Sequence, residues 1–171
     1  WNDVSASWSP DNSELVFTAD NIGAPQLYII EHSGGKIRRL TFKGAYNVSP
    51  DWSPTGEHIA FASSMDGNFN IYTIRRNGDQ LQQLTMNTGN NEDPSWSPDG
   101  RYIATYEGRW RPSFSDVESP SLCVRKLRTG KLVASYRTSS YPIAAFSADS
   151  KRLVFGDGEE HVFVTRVGTQ H

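Results

Sequence analysis

The sequence of 171 residues has little cysteine, no long apolar run and no excess of charge of one sign. Cys123 is the single cysteine, so an intramolecular disulfide is excluded and the redox compartment stays open. No run of 18 apolar residues occurs, which excludes a membrane-spanning helix. The 17 Lys and Arg stand against 19 Asp and Glu, a net charge of −2. That balance gives no broad attraction for nucleic acid or an anionic membrane.

Motifs that mark catalysis and cofactor binding are also missing. The sequence holds no G-x-S-x-G, no H-E-x-x-H, no P-loop and no G-x-G-x-x-G that opens a helix. The histidines at positions 32, 58, 161 and 171 are scattered, and none has metal-ligand spacing with the cysteine. We therefore expect no enzyme activity in this chain, no cofactor and no metal ion.

What the sequence has instead is a repeated motif in which an aromatic residue precedes a turn. Trp8, Trp52 and Trp96 are each followed by Ser-Pro and are spaced by 44 residues. A diverged fourth copy begins at Phe146, 50 residues after Trp96. A period of about 40 to 50 residues with strand-like content is typical of β-propeller blades. Proline presets the backbone for the turn, and the aromatic side chain is large enough to wedge between adjacent blades.

Each copy continues into short apolar runs separated by turns rich in Gly and Pro. The first copy contains ELVFTA, QLYIIE and IRRLTF, and no segment shows the sustained 3.6-residue apolar stripe of a helix. The sequence therefore predicts an all-β fold, a β-propeller or propeller segment of about four blades. Each blade is expected to be a four-stranded antiparallel sheet, with the last one incomplete. The predicted blades cover residues 2–44, 45–89, 90–138 and 139–171.

The incomplete last blade leaves three arrangements open. The chain is an open arc from a larger propeller, a half-ring that self-associates to complete a ring, or a compact four-bladed ring. It starts at Trp1 without the charged and apolar regions of a signal peptide, which indicates a mature or excised piece.

The repeated pattern WSPDG, IAF, IY and QLT resembles the WD40-like repeat of the TolB-type β-propellers, the PD40 family. The resemblance is close over residues 2–105 and drifts towards a general WD40-like pattern in the last third. It implies a scaffold that binds a protein partner, with the bacterial periplasm as its setting and an envelope lipoprotein as the partner. Related repeats also occur in propeller domains attached to serine peptidases.

The longest insertion of the repeat lies in the third copy, in the segment EGRWRPSFSDVESPS. Variable loops on a rigid scaffold are the usual location of binding. The insertion brings together Arg109, Trp110 and Arg111, and Trp and Arg often dominate protein interfaces. We predict that these three residues contact the partner. The alternative is that Trp110 packs on its own blade while the arginines pair locally with acidic neighbours.

The loops that precede the inner strands supply a second set of candidate partner-binding residues. They are Tyr46, Asn90, Asn91, Glu92, Asp93 and Tyr141. The adjacent carboxylate and amide oxygens of residues 90–93 suit a cation or a basic partner segment. The alternative is a solvated turn in which the Asn and Asp side chains cap backbone groups.

We interpret the chain as a non-enzymatic protein-interaction scaffold that binds a protein or peptide on its loop-rich face. Two alternatives stay open: an accessory propeller of an oligopeptidase-like serine peptidase whose catalytic domain is absent, and an engineered or excised repeat array that self-assembles. The resemblance favours the periplasm, and the lone thiol is equally compatible with the cytoplasm.

Overall fold

The structure, a computed structural model, describes residues 5–20, 23–86, 89–108, 120–138, 144–156 and 161–167. Over these ranges the chain forms four antiparallel sheets and no helix, which confirms the predicted all-β propeller class. Within each sheet the strands lie in chain order, from the inner strand outwards. None of the described segments is a helix of the length and apolar character needed to cross a membrane.

The first three sheets have four strands each, and the described part of the fourth has three. Sheet one holds β1 (Ala6–Trp8), β2 (Glu14–Ala19), β3 (Gln26–Glu31) and β4 (Arg38–Arg39). Sheet two holds β5 (Asn47–Trp52), β6 (His58–Asp66), β7 (Asn68–Arg75) and β8 (Gln82–Gln83). Sheet three holds β9 (Asn90–Trp96), β10 (Tyr102–Gly108), β11 (Ser121–Lys126) and β12 (Leu132–Arg137). Sheet four holds β13 (Ala144–Phe146), β14 (Arg152–Gly156) and β15 (Val162–Arg166).

The Ser-Pro-Asp motif forms the turn between the first and second strands of a blade. Ser9 Oγ donates to Asp11 Oδ1 over 2.6 Å and accepts the Glu14 N–H over 2.9 Å. Asp11 Oδ1 also accepts the backbone N–H of Ser13, at 3.0 Å. The same side-chain hydrogen bonds recur at Ser97 with Asp99, and at Ser147 with Asp149. The repeat of this motif therefore has a structural cause, because its side chains close a tight turn.

Apolar clusters between successive sheets form the core. The first cluster joins Val16 and Ile29 of sheet one to Trp52, Ile59 and Phe61 of sheet two. The other two clusters have the same construction, and their buried members are Ala60, Ala62, Ile71, Trp96 and Ile103, then Ala104, Leu122, Val124, Leu153 and Phe155. Each fully buried large aliphatic or aromatic side chain contributes about 1.5–3 kcal/mol. A single blade cannot bury both of its faces, so the core depends on stacking.

The repeated aromatic residue lies on the face that each blade turns towards the blade before it. Trp52 and Trp96 are 5% and 8% exposed, and each is part of the cluster with the preceding blade. Phe146 is half-buried and packs against the third cluster. Trp8 differs from the expected wedge, since it is 53% exposed. The physical reason is that no described blade precedes the first sheet.

The four blades form an arc. Trp8 is exposed on the first face of sheet one, and Val162 and Val164 of sheet four are 72% and 63% exposed. In a compact four-bladed ring these two faces would cover each other, so the described structure differs from that arrangement.

Trp52→Ala is expected to lower the free energy of unfolding by about 3–5 kcal/mol, because it empties the centre of a buried cluster. The indole N–H of Trp52 has no hydrogen-bond partner, so the loss is one of packing. Urea denaturation measures the change. The matched control is Trp8→Ala at the equivalent, half-exposed position, for which we expect less than half of that cost. Equal costs at the two positions would contradict the wedge role of Trp52.

The hydrogen bonds of this turn should make the stability of the protein depend on pH. Hydrogen bonds from the Ser9 and Ser13 side chains hold the pKa of Asp11 below its ordinary value of 3.8. A carboxyl group whose pKa is lowered by folding stabilises the protein at a pH above its ordinary pKa. This stabilisation is lost as the pH falls through the pKa of the folded state. The stability difference between wild type and Asp11→Asn should therefore be constant near neutral pH and shrink below pH 3.8. The control is Thr55→Val in the second blade's turn, whose effect should not change with pH. A constant effect of Asp11→Asn in acid would contradict the assignment.

Candidate partner-binding funnel

The inner strands of the four blades line a concave opening, which we call the funnel. Its volume is about 400 Å³. The lining residues are Ser5, Ala6, Ser7, Ser49, Pro50, Asp51, Asp93, Pro94, Ser95, Ala104, Tyr106, Leu122 and Ala144. No Lys or Arg belongs to this lining in the described part of the chain. The charged residues of this lining are Asp51 and Asp93, so the funnel is acidic.

A bulge at the same position of β5 and β9 shapes the funnel wall. Ser49 and Asp93 have positive φ values of 50° and 48°, and the pairing register shifts beside both. Each is followed by a proline, which fits a bulge because proline cannot donate to the ladder. The left-handed backbone aims the two side chains at each other, and Ser49 Oγ donates to Asp93 Oδ1 over 2.7 Å. Bulges of this kind often re-aim side chains next to functional sites.

Asp51 joins three blades at the axis. Ser7 Oγ of sheet one donates to Asp51 Oδ1 over 3.1 Å. Asp51 Oδ2 accepts the Trp96 N–H of sheet three over 2.9 Å, and the Trp96 indole Nε1–H donates to the Asp51 carbonyl over 3.1 Å. Burial raises the pKa of Asp51, and the hydrogen bonds from Trp96 and Ser7 oppose that rise. The side chain is therefore part of the scaffold as well as of the funnel wall.

Glu92 and Asp93 are two adjacent carboxyl groups of β9, and Asp93 is the one that lines the funnel. Asp93 is exposed and Glu92 is half-buried. Burial, and secondarily the charge of Asp93, raise the pKa of Glu92. Like charges so close to each other favour the approach of a cation or a basic group, which relieves their repulsion.

The other predicted residues of the inner-strand loops divide into exposed and structural ones. Tyr46 is 50% exposed and has an edge-on ring contact with Phe69, with centroids 6.5 Å apart. Asn90 Oδ1 accepts the Phe69 N–H over 3.1 Å, so its side chain links blade three to blade two. Asn91 is fully buried. Its counterpart one blade earlier, Asn47, is also fully buried. The structure thus brings Tyr46, Glu92 and Asp93 to the accessible surface.

Four predicted residues lie outside the described residues: Arg109, Trp110, Arg111 and Tyr141. Their role in partner binding stays a prediction.

Sequence reasoning missed the funnel residues whose side chains hydrogen-bond between blades to Asp51 or Asp93, or that receive such bonds, namely Ser7, Ser49 and Asp51. The signal that points to two of them is the position just before the repeated aromatic residue, which is Ser7 in the first blade and Asp51 in the second. Side chains alternate across a strand, so this position faces away from the wedge side.

The one thiol of the chain is unsuited to nucleophilic chemistry. Cys123 is 2% exposed, and its Sγ–H donates to Glu107 Oε2 over 3.1 Å. Burial, and secondarily the neighbouring Glu107, raise its pKa to about 12. The thiolate form that attacks substrates is therefore almost absent at neutral pH. Within the ranges that the structure describes, no three His, Cys, Asp or Glu side chains are grouped so that they could hold a metal ion.

Comparison with known proteins agrees with the blade architecture. The sequence model of the PD40 family, described as the TolB beta propeller domain, matches residues 1–106. The structure of TolB from Acinetobacter baumannii is similar with a TM-score of 0.77 and 24% identity, over 96% of this chain and 40% of that chain. The chain therefore spans less than half the length of this TolB.

Two enzymes contain similar folds. An oligogalacturonate lyase in complex with manganese is similar with a TM-score of 0.72 and 14% identity, over 96% of this chain and 51% of that chain. The tricorn protease is similar with a TM-score of 0.64 and 19% identity, over 84% of this chain and 14% of that chain. These likenesses concern the fold, since the sequence identities are low. The family match covers more than half of the sequence, and the chain belongs to the PD40 family of TolB β-propeller domains.

Proposed function

We propose that the chain is a non-enzymatic protein-interaction domain that binds a protein or peptide partner at the mouth of the funnel. The observation that carries the proposal is the acidic funnel itself, where Asp51 and Asp93 line the wall without a Lys or Arg in the described part of the chain, and Glu92 lies beside Asp93. Tyr46 adds an exposed aromatic ring on a neighbouring loop. Exposed aromatic residues beside a polar funnel are typical of binding surfaces.

The partner that fits this surface presents a Lys or Arg side chain and backbone N–H groups. A basic group that enters the funnel approaches Asp93 first, because Asp93 is exposed and Glu92 is partly covered. Charge complementarity of this kind steers association and selects the partner. The family likeness supports a periplasmic setting and an envelope lipoprotein as the partner.

An accessory propeller of a peptidase is the second candidate. The similarity to the tricorn protease favours it, because part of that enzyme has the same fold. The two candidates differ in what lies next to the domain: a catalytic domain in the full-length protein would support the accessory role.

Neutralising the funnel mouth is expected to abolish partner capture. The double variant Glu92→Gln and Asp93→Asn keeps the acceptor for Ser49 Oγ and removes two negative charges. We expect recovery of the partner from a bacterial envelope extract, quantified by mass spectrometry, to fall by about tenfold or more. The matched control is Glu31→Gln with Glu57→Gln, two exposed carboxylates outside the funnel lining. Equal recovery with the funnel variant, or an equal loss with the control, would contradict the proposal.

Trp110→Ala tests the predicted contact of the long insertion. If Trp110 contacts the partner, the substitution weakens binding and leaves the melting temperature nearly unchanged, because an interface side chain contributes little to the core. Calorimetry and the same capture assay measure the two quantities. A large fall in melting temperature with intact binding would show that Trp110 packs on its own blade.

A further inference from the structure

A second concave surface lies between blades two and three and shares no residue with the funnel lining. We call it the lateral groove, and its volume is about 650 Å³. Its lining residues are His58, Thr73, Gln80, Gln82, Leu84, Trp96, Gly100, Arg101, Tyr102, Lys126, Leu127 and Arg128. Sites for small molecules and peptide side chains commonly have volumes of about 300–1,000 Å³.

At the equivalent position between blades one and two, an ion cluster covers the tryptophan, and the pocket of about 360 Å³ in that gap is lined by other residues, among them Phe61 and Ile74. Arg76 Nη2 lies 3.0 Å from Glu14 Oε2, and Arg38 Nη2 lies 3.5 Å from Glu14 Oε1. The Arg76 guanidinium also lies 5.9 Å from the ring centroid of Trp52, so its side chain covers the wedge tryptophan of that gap.

The lateral groove is open because the three residues of this cluster are replaced one blade later. His58 begins β6 where Glu14 begins β2, and Gln82 stands in β8 where Arg38 stands in β4. Leu127 takes the position of Arg76, as matching backbone hydrogen bonds show. The Leu127 N–H donates to the Arg101 carbonyl, and the Arg76 N–H to the Glu57 carbonyl, both over 3.0 Å. With these replacements no ion pair covers Trp96 within the described residues.

The groove combines an apolar floor with a basic rim. Trp96, Leu84 and Leu127 belong to one apolar cluster at its base. Lys126 and Arg128 are exposed on the rim. Neither of them forms an ion pair with a described residue.

The remaining charges of the rim do not cancel this positive character. Arg101 also lines the groove, and it pairs with Asp99 over 2.7 Å. His58 adds an imidazole to the rim, and the lining holds no Asp or Glu in the described part of the chain. The net charge of the whole chain is −2, so this positive surface is a local feature.

We propose that the lateral groove binds an acidic peptide segment. One large apolar side chain of the peptide packs against Trp96, Leu84 and Leu127, and flanking carboxylates pair with Lys126 and Arg128. The exposed Gln80 and Gln82 carry amide groups that both donate and accept, which suits the backbone of an extended peptide. An isolated small anion would use the rim and leave the apolar floor uncovered.

The test uses fluorescence anisotropy with a labelled seven-residue probe that has a central Phe flanked by Glu. Two matched probes replace the Glu residues by Lys, or the Phe by Ala. We expect the Glu–Phe probe to bind at least about tenfold more tightly than either matched probe, and more weakly as salt is added. Equal binding of the Glu and Lys probes would overturn the proposal, and so would equal binding of the Phe and Ala probes, which would indicate an anion site without an apolar pocket.

The sharpest variant rebuilds the ion cluster of blades one and two in the lateral groove. His58→Glu, Gln82→Arg and Leu127→Arg together place the same three side chains over Trp96. This triple variant should bind the Glu–Phe probe about tenfold more weakly or not at all. Unchanged affinity would overturn the proposal.

A second variant keeps the test valid if the triple variant fails to fold. Lys126→Glu with Arg128→Glu changes two exposed side chains, and we expect the same loss of affinity with an unchanged melting temperature. Lys36→Glu with Lys151→Glu is the matched control, because these two exposed lysines lie outside the groove lining and the same charge reversal there should leave probe binding unchanged. The outcome is independent of the funnel proposal, since probe binding and partner capture are measured separately.

Discussion

The structure depends on the contact in which the first face of blades two to four, carrying the repeated aromatic residue, covers the last face of the blade before it. Trp52 and Trp96 are buried in this contact, and Trp8 is half-exposed where no described blade precedes it. At the axis, hydrogen bonds reinforce the same contact: the Trp52 N–H is accepted by Ser7 Oγ over 3.2 Å, and the Trp96 N–H by Asp51 Oδ2 over 2.9 Å. Apolar burial supplies most of the stability, and these bonds set the relative position of the blades.

The residues that repeat in every copy make this contact between blades. The positions that differ between blades are not needed for it, so their side chains can serve a function. Glu14 and Arg76 form an ion pair of 3.0 Å that covers Trp52 in the first gap. His58 and Leu127 at the same positions of the next gap leave a groove with a basic rim. The funnel follows the same rule, since the bulges of β5 and β9 share a backbone shape and present Ser49 in one blade and Asp93 in the next. One scaffold thus offers an acidic surface at the axis and a basic one between blades.

The sequence was sufficient to predict the blade architecture, because period, turn chemistry and apolar alternation all follow from local residues. It was not sufficient for individual side chains at the funnel. Asp51 precedes a tryptophan and has the appearance of an ordinary polar strand residue, and its link to blades one and three exists only after the blades stack. Asn91 was expected at the binding surface and is fully buried, since a bulge decides which side of β9 it faces. Trp8 repeats the wedge motif and is exposed, because burial depends on a neighbour that the motif does not contain.

The most direct test of the blade contact is amide hydrogen exchange of Trp52 and Trp96, measured by NMR. Both N–H groups donate to side chains of the preceding blade, Ser7 Oγ and Asp51 Oδ2, so their protection reports on the contact between blades. We predict that both amides exchange only through global unfolding, and that Ser7→Ala speeds the exchange of Trp52 while the amides inside β6 and β7 stay protected. Fast exchange of Trp52 and Trp96 in the wild-type protein, with β6 and β7 still protected, would contradict the account.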